Sequence, residues 1–254
     1  MTFGVAMPRF FINSSAVFDD AGKKRAVIDG DDASHISRSL RMKPGDALTL
    51  CDACGVDYEC EIAEITSSCV TLDIIEEKIS LAEAPYKATV FQALVKGDRF
   101  DTVVQKSVEF GAASVVPLAS SRCTVRLSGD DIKKKRVRWQ RIAEEGAKQC
   151  GRGIIPRVED GVDIKRAAEV FAEFDLVLFC YEKATRPLKD VLATFDRTPK
   201  SIAVVIGPEG GFDEAEAEIM EKIGAFSVSL GRRILRTESA APFALACLSY
   251  AFEM

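Results

Sequence analysis

A change of pattern near residue 80 constrains this chain more than any other feature. Before it lie short runs of β-branched and alternating apolar residues at 10–12, 26–28, 47–51, 56–65 and 69–76. Turn signals separate them: Asp29-Gly30, Pro44-Gly45-Asp46 and Cys54-Gly55. One short helix over 34–40, capped by Asp32 or Ser34, fits among them, and the regular spacing predicts a small β-barrel. After Ser80-Leu-Ala-Glu-Ala-Pro85, strands alternate with helices. Strands are predicted at 89–95, 114–118, 176–180, 201–206 and 226–230. Helices are predicted at 99–110, 130–149, 163–174, 213–223 and 239–252. Gly111 and Gly224 stand where two of these helices should stop. Such alternation needs crossover helices, hence an α/β fold whose parallel sheet is covered on both faces. The boundary falls near 78–86, giving domains of 1–78 and 79–254.

A length of 254 residues suits two ordinary domains, and 47% hydrophobic with 29% charged residues supplies cores without disorder. No run of 18 apolar residues occurs, so no membrane-spanning helix is expected. The start, MTFGVAMPRFF, lacks a basic then apolar leader. Eight cysteines without a leader point to reduced thiols in a cytoplasm. The single histidine, His35, excludes a zinc site built on several histidines. It also leaves a Ser-His-Asp hydrolase only one base, in a polar stretch with no Gly-x-Ser-x-Gly elbow in the chain. Cys51 and Cys54 have zinc-knuckle spacing but Cys60 and Cys69 do not. The latter two lie in strand-like runs, where a thiol packs as a small apolar group, so no metal is expected.

Net charge is −5, which does not suggest a nucleic-acid binder. The charge is uneven, however. Residues 1–80 hold eight Lys/Arg and fourteen Asp/Glu, whereas 120–157 hold eleven Lys/Arg and four Asp/Glu. That basic segment is either a phosphate-facing patch or a solvated helix face.

Two segments carry chemistry. The first is a buried strand ending in Gly207-Pro208-Glu209-Gly210-Gly211 before a helix at Asp213. Such a turn lets a ligand approach backbone at the carboxyl end of a strand. It is neither Gly-x-Gly-x-x-Gly nor a Walker loop, and Glu209 and Asp213 would repel phosphate, so a nucleoside or a cation suits it better. The second is Ser229-Leu-Gly-Arg-Arg-Ile-Leu-Arg-Thr-Glu-Ser-Ala, longer than an ordinary connection and mixing apolar with charged residues. Ser239 is a plausible N-cap within it.

Taken in order, MPRFF, HISRSLRMKPGD, KGDRFDTVVQKSVEFGA, PLASSRC, RWQRIAEEGAKQCGR, IGPEGGF and LGRRILRTESA resemble the RsmE family of 16S ribosomal RNA uridine-N3 methyltransferases. The resemblance runs from Met7 to the last helix; six residues precede the usual family start, so it implies Met7 as a candidate initiator beside Met1. It departs slightly at Ser239-Ala240, where the family usually has Thr-Ala or Ala-Ser. It implies a PUA-like β-barrel followed by a SPOUT-class α/β domain with a C-terminal trefoil knot. Knots are otherwise nearly absent from proteins, so periodicity could not reveal one. It further implies a homodimer, S-adenosylmethionine as cofactor, and 16S rRNA of the small ribosomal subunit as partner.

Carried onto these residues, the resemblance assigns the cofactor to three walls. One is Cys180, Tyr181 and Glu182. Another is Ile206, Gly207, Pro208, Glu209 and Gly210. The third is Leu230, Gly231, Ile234, Leu235 and Thr237, with Ala240 behind it. Ile206, Leu230, Ile234 and Leu235 would form a dry adenine slot. Arg9, Arg38, Arg41, Lys43, Arg122, Lys148 and Arg152 would position RNA backbone. Methylation at uridine N3 requires that a proton leave, so Arg236 is expected to stabilise negative charge on the uracil edge. Glu238 would act as base or positioning group, with Glu209 the other available carboxylate. Two competing readings stay open: a non-catalytic RNA-binding module, and a related methyltransferase acting on tRNA.

Overall fold

The computed structural model describes residues 7–126 and 129–254. The choice between Met1 and Met7 as initiator lies outside the described residues. The chain divides into two compact units. One comprises the residues up to Glu83 together with Ala147–Ile155; the other comprises Ala84–Gly146 and Pro156–Met254. The contiguous division expected from the sequence therefore misses a returning segment. Local bonds explain the return. Gly153 accepts hydrogen bonds from the Gly55 N–H and the Cys51 thiol, both at 3.1 Å.

In the first unit the strands are β1 (Arg9–Phe11), β2 (Val17–Asp20) and β3 (Lys23–Asp29). The helix α1 (Gly30–Ser34) follows, then β4 (Ala47–Cys51), β5 (Val56–Ile65) and β6 (Cys69–Ile79). They form one six-stranded sheet in the order β1-β4-β5-β6-β3-β2, antiparallel except where β1 joins β4. Alternation places Leu48, Leu50, Ile62, Val70 and Leu72 in a shared core with Phe10 and Ile36. The helix expected over 34–40 starts earlier, at Gly30, and continues as a single wide turn over His35–Ser39. Its N-cap is Asp29, without a side-chain cap bond, rather than Asp32 or Ser34.

The second unit begins with β7 (Lys87–Ala93), α2 (Arg99–Glu109), β8 (Ala112–Ala119) and α3 (Gly129–Cys150), whose last four residues group with the first unit. Then come β9 (Arg157–Val158), β10 (Val162–Asp163), α4 (Ile164–Phe171), β11 (Leu176–Cys180) and α5 (Leu188–Leu192). The chain closes with β12 (Ser201–Ile206), α6 (Glu214–Lys222), β13 (Phe226–Val228) and α7 (Thr237–Phe252). The sheet runs β10-β8-β7-β12-β11-β13, with β9 also on β8, and every pairing is parallel. Central β12 is buried from Ile202 to Ile206, which is why it reads as an unbroken apolar run. The last helix starts at Thr237, two residues before the expected 239, with Arg236 rather than Ser239 as its N-cap.

Candidate functional site

Parallel strands bring their carboxyl ends to one edge of a sheet, and the loops leaving that edge are where α/β proteins bind ligands. Here the register pairs Cys180 with Ile206 and Val228, and Ile206 with Gln92. The segments 181–187, 207–213 and 229–236 therefore leave the sheet at the same level.

These segments touch one another. Gly211 has φ +67, a conformation that favours glycine, and the Glu182 carboxylate lies directly beside it, so the two loops meet there. A Cβ on Gly207 would stand 2.9 Å from the ring of Phe212. Phe212 is fully buried and packs on Phe179 at 4.6 Å, while Tyr181 stacks on the same Phe179 at 5.3 Å. The Ser229 N–H donates to the Arg186 carbonyl at 2.8 Å, and the Leu188 N–H to the Ser229 carbonyl at 3.0 Å. The Thr237 hydroxyl donates to the Gly207 carbonyl at 2.6 Å, joining the glycine turn to the start of α7.

A fourth segment completes the edge. After β8, the Ser121 N–H and the Ser120 hydroxyl donate to buried Glu216, at 2.8 and 3.0 Å. Glu216 also closes a capping box with Asp213 at the start of α6. The Ser121 hydroxyl bond, followed by the Glu216 backbone N–H, holds the Asp213 carboxyl below the usual carboxylate range. Arg122, next in the chain, is exposed, and its Nη1 donates to the Gly210 carbonyl at 3.1 Å.

The catalytic candidates differ in their engagement. Arg236 is exposed and has no ion-pair partner among the described residues. One carboxylate oxygen of Glu238 is buried without a hydrogen-bond partner. Glu209 instead pairs with Arg99 Nη1 at 2.9 Å. Burial pushes the Cys180 thiol up to about 12, with the Cys247 thiol adding to the effect, so Cys180 stays protonated near neutrality.

Of the expected apolar slot, Ile206 is buried and Leu230 and Leu235 are half-buried. Ile234 is 100% exposed, so within this chain it lines no dry slot. Pro208 and Ala240 are buried, and Gly231 is exposed.

The basic residues also separate. Arg38, Arg41, Lys43 and Arg122 are exposed. Arg9 and Arg152, expected to face RNA, are taken up by partners within the chain. Arg9 is bidentate on Asp57 and donates to the Arg152 carbonyl. Arg152 is buried and pairs with Glu83, which also accepts the Gly153 and Ile154 N–H groups. Lys148 is held by Asp32 at 3.3 Å. In α3, Arg136 pairs with Asp160 and Arg138 with Asp101, whereas Lys134, Lys135 and Arg141 have no ion-pair partner among the described residues. Residue reading missed Gln92, Arg99 and Glu216. Each is one side chain in an ordinary strand or helix pattern, and only the fold shows what it touches.

A family model for an RNA methyltransferase domain matches residues 82–249, and one for an RNA methyltransferase PUA domain matches residues 28–75. The two family models together mark an RNA methyltransferase carrying a PUA domain. The ribosomal RNA small subunit methyltransferase E of Bacillus subtilis is 34% identical over 231 residues, 89% of this chain and 90% of its own length. That of Mycobacterium tuberculosis is 30% identical over 224 residues, 87% of this chain and 84% of its own. The crystal structure of a ribosomal RNA small subunit methyltransferase E from Neisseria gonorrhoeae bound to S-adenosyl methionine superposes with a TM-score of 0.82. It is 28% identical and covers 97% of this chain and 98% of its own. The chain belongs to the ribosomal RNA small subunit methyltransferase E family.

Proposed function

We propose that this chain transfers a methyl group from S-adenosylmethionine to N3 of a uridine in 16S rRNA of the small ribosomal subunit. The observation that carries this reading is the convergence of three loops at the ends of β11, β12 and β13, in a chain of this family. The residues fit the cofactor. The glycine turn offers bare backbone, because side chains at Gly207 and Gly211 would strike Phe212 and Glu182. The Glu182 carboxylate beside that turn has no hydrogen-bond or ion-pair partner among the described residues, which suits a cationic sulfonium. Leu230, Gly231 and Leu235 complete the cradle, with Cys180 and Tyr181 on its third side.

Bound there, S-adenosylmethionine supplies an electrophilic methyl group. The chain supplies orientation and charge control. Arg236, exposed and without an ion pair among the described residues, stabilises negative charge on the uracil edge. Glu238, with a buried and unpartnered carboxylate oxygen, accepts or directs the N3 proton. Glu209 is occupied by Arg99, which favours Glu238 of the two carboxylates. Arg38, Arg41, Lys43 and Arg122 position RNA, joined by Lys134, Lys135 and Arg141 of α3.

The finer architecture belongs to the same reading: a PUA-like barrel, then a SPOUT-class domain whose C-terminal loops form a trefoil knot, acting as a homodimer in the cytoplasm. A cavity of about 660 Å³ beside α7, with Phe243 37% and Tyr250 77% exposed along it, supports a helix face covered by a second copy. Eight free cysteines support a reducing compartment. No helix among the described residues is long and apolar enough to cross a membrane.

Calorimetric titration with S-adenosylmethionine tests the site. Saturable binding by the parent is expected. The Gly210→Arg variant should abolish it, because it sets a long cationic side chain on the turn whose bare backbone a cationic ligand would approach, beside the guanidinium of Arg122. No binding by the parent, alone or with unmodified small subunits present, overturns the reading.

A further inference from the structure

Gln92 is a fully buried polar residue in β7, beside Ile206 of β12 in the parallel ladder. Its neighbours in β7, Val90, Phe91 and Ala93, are buried and apolar. A glutamine in such a strand is costly unless its amide bonds do something an apolar residue cannot.

The protons can be counted. The Thr237 hydroxyl has one, and donates it to the Gly207 carbonyl at 2.6 Å. Thr237 Oγ1 therefore accepts from Gln92 Nε2, at 2.8 Å. The second amide hydrogen goes to the Ala93 carbonyl at 3.1 Å. The remaining atom, Gln92 Oε1, is buried with no hydrogen-bond partner. The side chain thus leaves an acceptor unsatisfied while both its donor hydrogens are used. An apolar residue of similar size would avoid that penalty but could not hold Thr237.

We propose that Gln92 is a positioning residue for the methyl-donor site. It holds Thr237, and Thr237 holds Gly207. The two bonds fix the glycine turn after β12 to the first residue of α7, where the 229–236 loop ends. They clamp two walls of the cradle at one separation. Arg236 immediately precedes Thr237, so the same clamp sets where Arg236 leaves the loop. The inference rests on the cofactor reading above and adds a residue that contacts the cradle only through another.

The test is a double-mutant cycle read by calorimetric S-adenosylmethionine binding. Gln92→Met keeps length and burial but removes the donor; Thr237→Val keeps shape but removes the hydroxyl. Each should weaken binding about tenfold, and Thr237→Ser should restore parental affinity. The double variant should bind no more weakly than Thr237→Val alone, because Gln92 acts through Thr237. A merely structural role would instead multiply the two losses. If Gln92→Met fails to fold, Gln92→Leu, of similar volume and with neither donor nor acceptor, gives the same reading. Parental affinity in the Gln92 variant, or multiplied losses in the double variant, overturns this inference and leaves the cofactor site standing. Failure of the parent itself to bind overturns the cofactor site.

Discussion

Arg236 is the last residue before α7, extended in backbone at φ −65 and ψ 149, with its side chain exposed. A side chain so placed contributes little to stability, so its removal should separate chemistry from binding. Arg236→Ala is expected to abolish methyl transfer while S-adenosylmethionine affinity stays within about tenfold, or 1.4 kcal/mol. Labelled-methyl transfer and calorimetry on the same preparation check both halves. Equal loss of both would assign Arg236 to the cofactor or the fold. The glycine turn and the Arg-Thr-Glu segment were legible in the sequence as compact segments, and the fold brings them to one sheet edge. Their engagement was not. Glu209 and Arg99 are 110 positions apart, and nothing in either neighbourhood announces that they meet.

Among the elements, the segment 147–155 separates stability from RNA binding. Arg152 presents only 5% of its side chain to solvent and Glu83 19%. Removing the guanidinium leaves a mostly buried carboxylate short of a charged donor, which costs about 3 kcal/mol. Arg152→Ala should therefore lower the thermal unfolding midpoint by several degrees, whereas Arg38→Ala, on an exposed side chain, should not. Scanning calorimetry of the two variants decides it; an unshifted midpoint for Arg152→Ala would return that residue to the RNA face. Strands with unbroken or alternating apolar runs, such as β5, β11 and β12, were readable to the residue. Helices α2 and α6 were readable at their ends because Gly111 and Gly224 take positive φ there. Short or solvent-facing elements were not. Five-residue α5 lacks room for a helical period, and β2 exposes three of its four residues. The start of α7 was misplaced because Arg236 caps it without a side-chain bond, so no cap signature marks the spot.

For the whole molecule, the switch from strands alone to strands with helices made a change of architecture near residue 80 legible, since each pattern requires a different covering of its sheet. Sheet order was not legible, because β7 pairs with β12 across more than a hundred residues of intervening chain. Nor was the return of Ala147–Ile155 to the first unit, which depends on contacts such as Gly55 to Gly153. Net charge is silent on distribution: a total of −5 conceals a helix, α3, in which Lys134, Lys135 and Arg141 remain without ion pairs among the described residues. Membership of the family is what points to methyl transfer onto small-subunit ribosomal RNA. The most direct measurement incubates unmodified small ribosomal subunits with the protein and methyl-labelled S-adenosylmethionine, then separates and maps the nucleosides of the 16S rRNA. The predicted result is label in N3-methyluridine at a single position, absent with Arg236→Ala. Label in a different nucleoside, or transfer to tRNA with none to the subunit, would contradict it.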